Sequence, residues 1–201
     1  RDYRDMSETF DRIVSVGMLE HVGAHHLSRY FMTVRDLLAP EGVALVHTIS
    51  SKAPPGVTGS FIRKYIFPGG YSPSLSEVSA AVELSGLWVL DIEVWRKHYG
   101  NTLREWRSRF AQRRDEAVAL YDERFARMWE FYLAACECVF IHGPNNVLQV
   151  QLARERDAVP LTRDYITARE AELRRIEASL PPAPPALGPS PEQATFEKIE
   201  A

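Results

Sequence analysis

No glycine-rich turn of the kind that opens a nucleotide-binding α/β domain occurs in this chain of 201 residues. In such a domain a strand feeds that turn at a helix N-terminus, where backbone amides meet the ligand. Gly69-Gly70 follows Pro68 and opens no helix after a strand, and no strand precedes "RDYRDM", so the front of a domain is expected upstream of Arg1. Cysteine is scarce. Cys136 and Cys138 are separated by one residue in a helical segment, which points them to different faces and leaves a metal pair without further ligands, so both read as free thiols. No apolar run approaches the roughly 20 residues of a membrane span, and the charge-dense Arg1–Asp5 shows no secretory pattern. A cytoplasmic location is expected. The net charge of −3 and pI of about 6.1 argue against a general affinity for nucleic acid. His21 and His25 stand four apart on a helix, but without the HExxH order or a third ligand no metal is expected.

What is present is apolar patterning. Hydrophobic residues make up 45% and charged residues 25%, enough for a substantial core. Residues 10–18, "FDRIVSVGM", read as a buried strand. Residues 25–38 place Leu27, Tyr30, Phe31, Val34, Leu37 and Leu38 at helical spacing, and "APEGVALVHTIS" gives a Pro-Glu-Gly turn and a second strand. Two apolar strands with a crossover helix predict a parallel sheet in an α/β fold. A Ser N-cap, a helix and a stop at Gly86 lead to a third strand over 87–95. In "NVLQVQLAR", Val147, Gln149 and Gln151 alternate with Leu148, Val150 and Leu152, as in a strand with one wetter face. The aromatic-rich stretch 102–142 reads as two helices. The Pro-rich segment 179–201 reads as a disordered tail, and 156–178 as a helical segment.

Five ordered blocks carry a family likeness: "DYRDMSETFDRIVSVGMLEHVG", "GVALVHTIS", "FIRKYIFPGGYSPSLSEV", "HYGNTLREWRSRF" and "FYLAACE". Together they resemble the cyclopropane-fatty-acyl-phospholipid synthases and the related mycolic acid cyclopropane synthases, over about residues 1–155. The resemblance implies the C-terminal portion of a seven-stranded, Rossmann-like methyltransferase sheet with inserted helices. It also implies S-adenosylmethionine as cofactor and addition of a methylene across a cis double bond of a phospholipid acyl chain. The family's Gly-rich loop would precede Arg1, so the chain alone is expected to be inactive. Another lipid C-methyltransferase, or a non-catalytic lipid-binding remnant, are the alternatives.

The reaction needs a dry apolar tunnel and one placed base, which the resemblance implies is a bound bicarbonate. Glu20 matches the family glutamate that holds that ion, His47 and Tyr99 its donors, and Ile49 a position whose backbone contributes. Tyr3 and Arg4, with Val16 and Gly17, match the two sides of the cofactor's adenine. Tyr65, Phe67, Trp129 and Tyr132 suit either tunnel lining or core. Arg104, Arg107, Arg109, Arg113 and Arg114 surround Trp106 and Phe110; this helix either rests on an anionic membrane surface, peripheral to the inner membrane, or pairs with Asp115 and Glu116. The first strand, lacking a neighbour on one side, is expected to present an open edge through which copies associate.

Overall fold

The computed structural model describes residues 2–181. Two units divide the chain, the second beginning at Pro160. In the first, four strands form one sheet in the order β1-β2-β4-β3: β1 (Phe10–Val16), β2 (Leu38–Ser51), β3 (Trp88–Trp95) and β4 (Asn145–Ala153). β1 and β2 are parallel, whereas β4 runs antiparallel between β2 and β3. The parallel pairing expected from strand, helix, strand therefore holds for β1 and β2, and the sheet as a whole is mixed.

The crossover helix α1 (Leu27–Leu37) buries Leu27, Tyr30, Phe31, Val34 and Leu37, the spacing of one helical face. It ends where Ala39 precedes Pro40, since a residue before proline is driven from the helical region. The Pro-Glu-Gly turn lies within β2 rather than ahead of it. Phe10 pairs with Leu38 and Arg12 with Val43, so two steps on β1 match five on β2 and residues 39–42 form an excursion from the ladder.

Opposite faces of the sheet carry separate cores. Ala44, Val46, Leu148, Val150 and Leu152 pack with α1 and with α3 (Leu75–Ser85). Ser74 and Glu77 form a capping box at the start of α3, and left-handed Gly86 ends it. The other face carries Ile49, Val147 and Trp95. It is covered by α2 (Ser60–Tyr65), α4 (His98–Gln112) and α6 (Glu123–His142). The expected pair of helices over 102–142 is three. A short α5 (Arg114–Leu120) intervenes, and Asp122 restarts the chain by accepting from the Phe125 N–H at 2.6 Å.

In the second unit, α7 (Asp164–Ser179) carries the expected helical segment. Residues 182–201, most of the Pro-rich stretch, lie outside the described residues. No helix among the described residues is long and apolar enough to cross a membrane.

Candidate active site

The parallel ladder stops one residue after β1. The Gly17 N–H donates to the His47 carbonyl at 3.0 Å, and Gly17 then turns the chain away with φ +65°. On β2, backbone groups of alternate residues face the same neighbour, so the next amide on that side, Ile49, has lost its strand partner. Glu20 replaces it: in the 3-10 turn Leu19–His21, its Oε1 accepts from the Ile49 N–H at 2.6 Å. Glu20 is only 8% exposed. Its other oxygen, Oε2, is buried with no hydrogen-bond partner among the described residues. The Glu20 carbonyl accepts from the Tyr71 N–H at 2.8 Å, which ties the turn to the loop ahead of α3.

Both partners of Glu20, Ile49 and Tyr71, line a pocket of about 440 Å³, together with Phe67, Tyr99, Tyr132 and Phe140; Glu20 itself is not part of that lining. Its wall is mostly apolar and aromatic because α4 and α6 turn rings toward the sheet: Tyr99 stands edge-on to Phe140 at 5.0 Å and Phe67 edge-on to Tyr132 at 6.1 Å. Burial raises the Tyr99 phenol above its ordinary value, with smaller upward pushes from Cys136 and Glu20. It therefore stays protonated, and a donor, at neutral pH. Burial also pushes the Cys136 thiol up to about 11, leaving it an inert part of the lining.

His47 lies on the same face of β2 as Ile49, two residues earlier. Its Nδ1 is 2.9 Å from Gln149 Oε1, and the Gln149 Nε2 donates to Glu93 Oε2 at 3.2 Å. Trp95 Nε1 donates to the same Glu93 oxygen at 3.1 Å, and its ring stands edge-on to His47 at 5.7 Å. Sequence reasoning missed Glu93 and Gln149 as partners of His47. The alternation in β4 placed Gln149 on the wetter face, but its neighbours depend on strand register.

Of the expected site residues, Glu20 and Ile49 meet directly and Ile49 and Tyr99 line the pocket, whereas Glu20 and His47 are not in its lining. The Ile49 N–H, expected to face an ion, is spent on Glu20. Tyr3 and Arg4 border a separate cleft with Met18, His21, Val22 and Arg29. Arg4 is paired to Asp2, and Tyr3 stands edge-on to Tyr30 at 5.6 Å. Val16 is 64% exposed at the end of β1, and nothing lies within 4 Å of where a Cβ on Gly17 would sit. Phe67 and Tyr132 line the pocket, Trp129 packs into the core beneath it, and Tyr65 is exposed. Four of the five arginines around Trp106 and Phe110 are ion-paired among the described residues, and Arg109 is not. Arg104 and Arg107 both pair with Glu137, Arg113 with Glu116, and Arg114 with Glu123 and Glu130.

Comparison with known proteins identifies the family. The family model described as mycolic acid cyclopropane synthetase matches residues 1–150. A tuberculostearic acid methyltransferase of Mycobacterium tuberculosis is 42% identical over 160 residues, covering 77% of this chain and 38% of that protein. The cyclopropane-fatty-acyl-phospholipid synthase of Escherichia coli is 40% identical over 157 residues, 77% of this chain and 40% of the relative. The chain thus spans about two fifths of these relatives' length. Among solved structures, the cyclopropane synthase MmaA2 of M. tuberculosis superposes with a TM-score of 0.70 at 29% identity, covering 75% of this chain and 57% of that one. The mycolic acid cyclopropane synthase CmaA1, in complex with S-adenosylhomocysteine and CTAB, gives 0.69 at 31% identity over the same shares. A buried carboxylate at a strand end, an apolar pocket and these matches lead to one conclusion: the chain belongs to the mycolic acid cyclopropane synthetase family.

Proposed function

We propose that this chain forms the rear part of the catalytic domain of an S-adenosylmethionine-dependent cyclopropane synthase acting on unsaturated phospholipid acyl chains. The observation that carries the reading is Glu20: a buried carboxylate with one oxygen fixed by the Ile49 amide and the other unpartnered, its backbone and side chain tied to two residues that line an apolar pocket. A buried unpaired oxygen costs about 1–3 kcal/mol. That cost is offset when a ligand donates to it.

The residues present fit the two groups the family implies. S-adenosylmethionine supplies an electrophilic methyl carbon, and bicarbonate a base for the proton that methyl must lose. For the first, the open end of β1 at Val16 and Gly17, with the cleft at Tyr3 and Arg4, offers one side of a pocket. For the second, Glu20 Oε2 is an acceptor only. Two like charges about 4 Å apart repel by roughly 4 kcal/mol at an effective dielectric near 20, so Glu20 holds an anion only through that anion's hydroxyl, which also selects the oxygen left basic. Tyr99 donates its phenol, His47 lies on the same strand face, and the rings of α4 and α6 keep water from the reacting positions.

The acyl chain occupies the aromatic pocket. We place the membrane contact at its rim, because Arg104 and Arg107 of α4 are both held by Glu137. There Tyr65, Phe67 and Phe131 are exposed beside Arg63, Lys64 and Arg124, with the Lys64 amine 5.0 Å from the centre of the Tyr65 ring. Such a mixture suits anionic headgroups above an apolar layer.

The similarity to a tuberculostearic acid methyltransferase favours a second reading, a methyl transfer ending in a methyl branch. The test restores the upstream sequence and assays transfer to phospholipid bearing a cis double bond. A cyclopropane product is expected, and a methyl-branched one would establish the second reading. Calorimetry with S-adenosylmethionine on the present chain, compared with the extended protein, separates a binding remnant from an enzyme: no product and no heat from the extended protein would overturn both readings.

A further inference from the structure

On the pocket face, His47 of β2, Gln149 of β4 and Glu93 of β3 occupy one row across the sheet, since His47 pairs with Gln149 and Gln149 with Glu93 in strand register. Each side chain stands beside the next on the same side of the pleat, and the hydrogen bonds follow that row. At its far end the donor and acceptor roles are fixed by chemistry alone. The Trp95 indole can only donate and the Glu93 carboxylate can only accept, so Trp95 anchors Glu93 Oε2 at 3.1 Å. Glu93 in turn draws the NH2 of Gln149, at 3.2 Å. An amide that presents its NH2 to β3 presents its oxygen to β2. Gln149 Oε1 then requires a proton on His47 Nδ1, 2.9 Å away.

We infer that Glu93 and Gln149 are positioning residues that lock neutral His47 in the Nδ1–H tautomer. Nε2, which has no hydrogen-bond partner among the described residues, is then the ring nitrogen that meets a ligand. The consequence refines the donor role that the resemblance implies. In this tautomer a neutral His47 offers a lone pair at Nε2, so it accepts from a ligand hydroxyl and donates to an oxyanion only after gaining a second proton.

The first arm of the test needs no activity. Long-range ¹⁵N–¹H correlation spectra of the labelled chain, with His47 assigned by its loss in a His47→Gln variant, report which ring nitrogen carries the proton. The proton is expected on Nδ1 in the neutral ring. In Glu93→Leu, which takes away the acceptor that Gln149 and Trp95 share, Gln149 is free to turn over and the Nε2–H form is expected to appear. A neutral wild-type ring protonated at Nε2 would overturn the inference, as would an unchanged tautomer in a folded Glu93→Leu variant. Should that variant not fold, the wild-type spectrum still decides.

The second arm rests on the bicarbonate reading and uses the protein with its upstream segment restored. Glu93→Leu is expected to raise the bicarbonate concentration for half-maximal rate by about tenfold, the scale of one charge-assisted hydrogen bond, with KM for the acyl substrate unchanged. A shifted tautomer with an unaltered bicarbonate response supports the lock and counts against His47 as part of the anion site.

Discussion

Replacing Glu20 with glutamine separates what this residue contributes to folding from what it contributes to chemistry. The carboxylate holds the Ile49 amide at 2.6 Å and leaves Oε2 buried without a partner. A hydrogen bond to a charged acceptor contributes about 1.5–3 kcal/mol and a neutral one about 0.5–1.5, so the Glu20→Gln amide weakens that contact by about 1 kcal/mol. Removing a buried charge returns a similar amount, the unpaired NH2 cancelling part of the gain. The net change in stability is expected within about 1 kcal/mol, a shift in Tm of no more than about 4 °C for a chain of this size. Activity of the protein with its upstream segment should fall at least about 100-fold, the effect of losing one group that orients charge at a reacting centre. Glu20→Ala should behave differently. It strands the Ile49 N–H as well, at a cost of about 2–3 kcal/mol. Urea unfolding and a methylene-transfer assay read the two effects separately. A Glu20→Gln enzyme with full activity would refute the anion argument, and an equally stable Glu20→Ala would refute the capping of Ile49.

Other outcomes test the surroundings of the site. A Cβ on Gly100 would lie 2.7 Å from Ile141 Cδ1 and 3.3 Å from Phe140 Cβ; overpacking of about 1–3 kcal/mol should outweigh the roughly 1 kcal/mol gained in helix propensity. Gly100→Ala is therefore expected to lose about 1 kcal/mol in urea unfolding, and unchanged stability would show that α4 and α6 have room to part. Burial raises the Glu77 carboxyl, but hydrogen bonds from Tyr71 and Ser74 outweigh it and hold the group below its ordinary value of 4.5. Its contribution is thus complete above that value and is lost as pH falls through the lowered one. Tyr71→Phe should shrink the drop in urea midpoint between about pH 6 and pH 3, and an identical drop in both proteins would remove Tyr71 as a cause. Charge reversal at Arg63 and Lys64 should weaken sedimentation with vesicles of anionic phospholipid several-fold, whereas reversal at Arg104 should not; the opposite ranking would move the contact back to α4.

Strands were legible in the sequence where burial on one face forces alternation. In β4, Leu148, Val150 and Leu152 are buried while Gln149 and Gln151 are less so, as the letters predict. The capping box at Ser74 and Glu77 and the stop at Gly86 are equally local and equally readable. What escaped depends on residues distant in sequence. Arg104 and Arg107 read as a cationic face until α6 folds back and brings Glu137, about thirty positions away, between them. The aromatic periodicity of 102–142 runs through the breaks at Arg113 and Tyr121, so apolar spacing alone showed no third helix. Glu20, His47, Tyr99 and Ile49 were singled out by family likeness. Their neighbours Gln149 and Glu93 were not, because cross-strand register is a property of the sheet and not of any segment.

The early end of the β1 ladder has a further consequence. Because Glu20 serves as the missing rung opposite Ile49, the count of residues between the last paired position and the carboxylate is a structural constant. A 3-10 turn advances about 120° per residue, so one residue inserted between Gly17 and Glu20 would swing the side chain a third of the way round, away from both the amide and the pocket. The wall of the pocket can vary in sequence to accept differently shaped chains, while the short span from strand to carboxylate is confined to a single length.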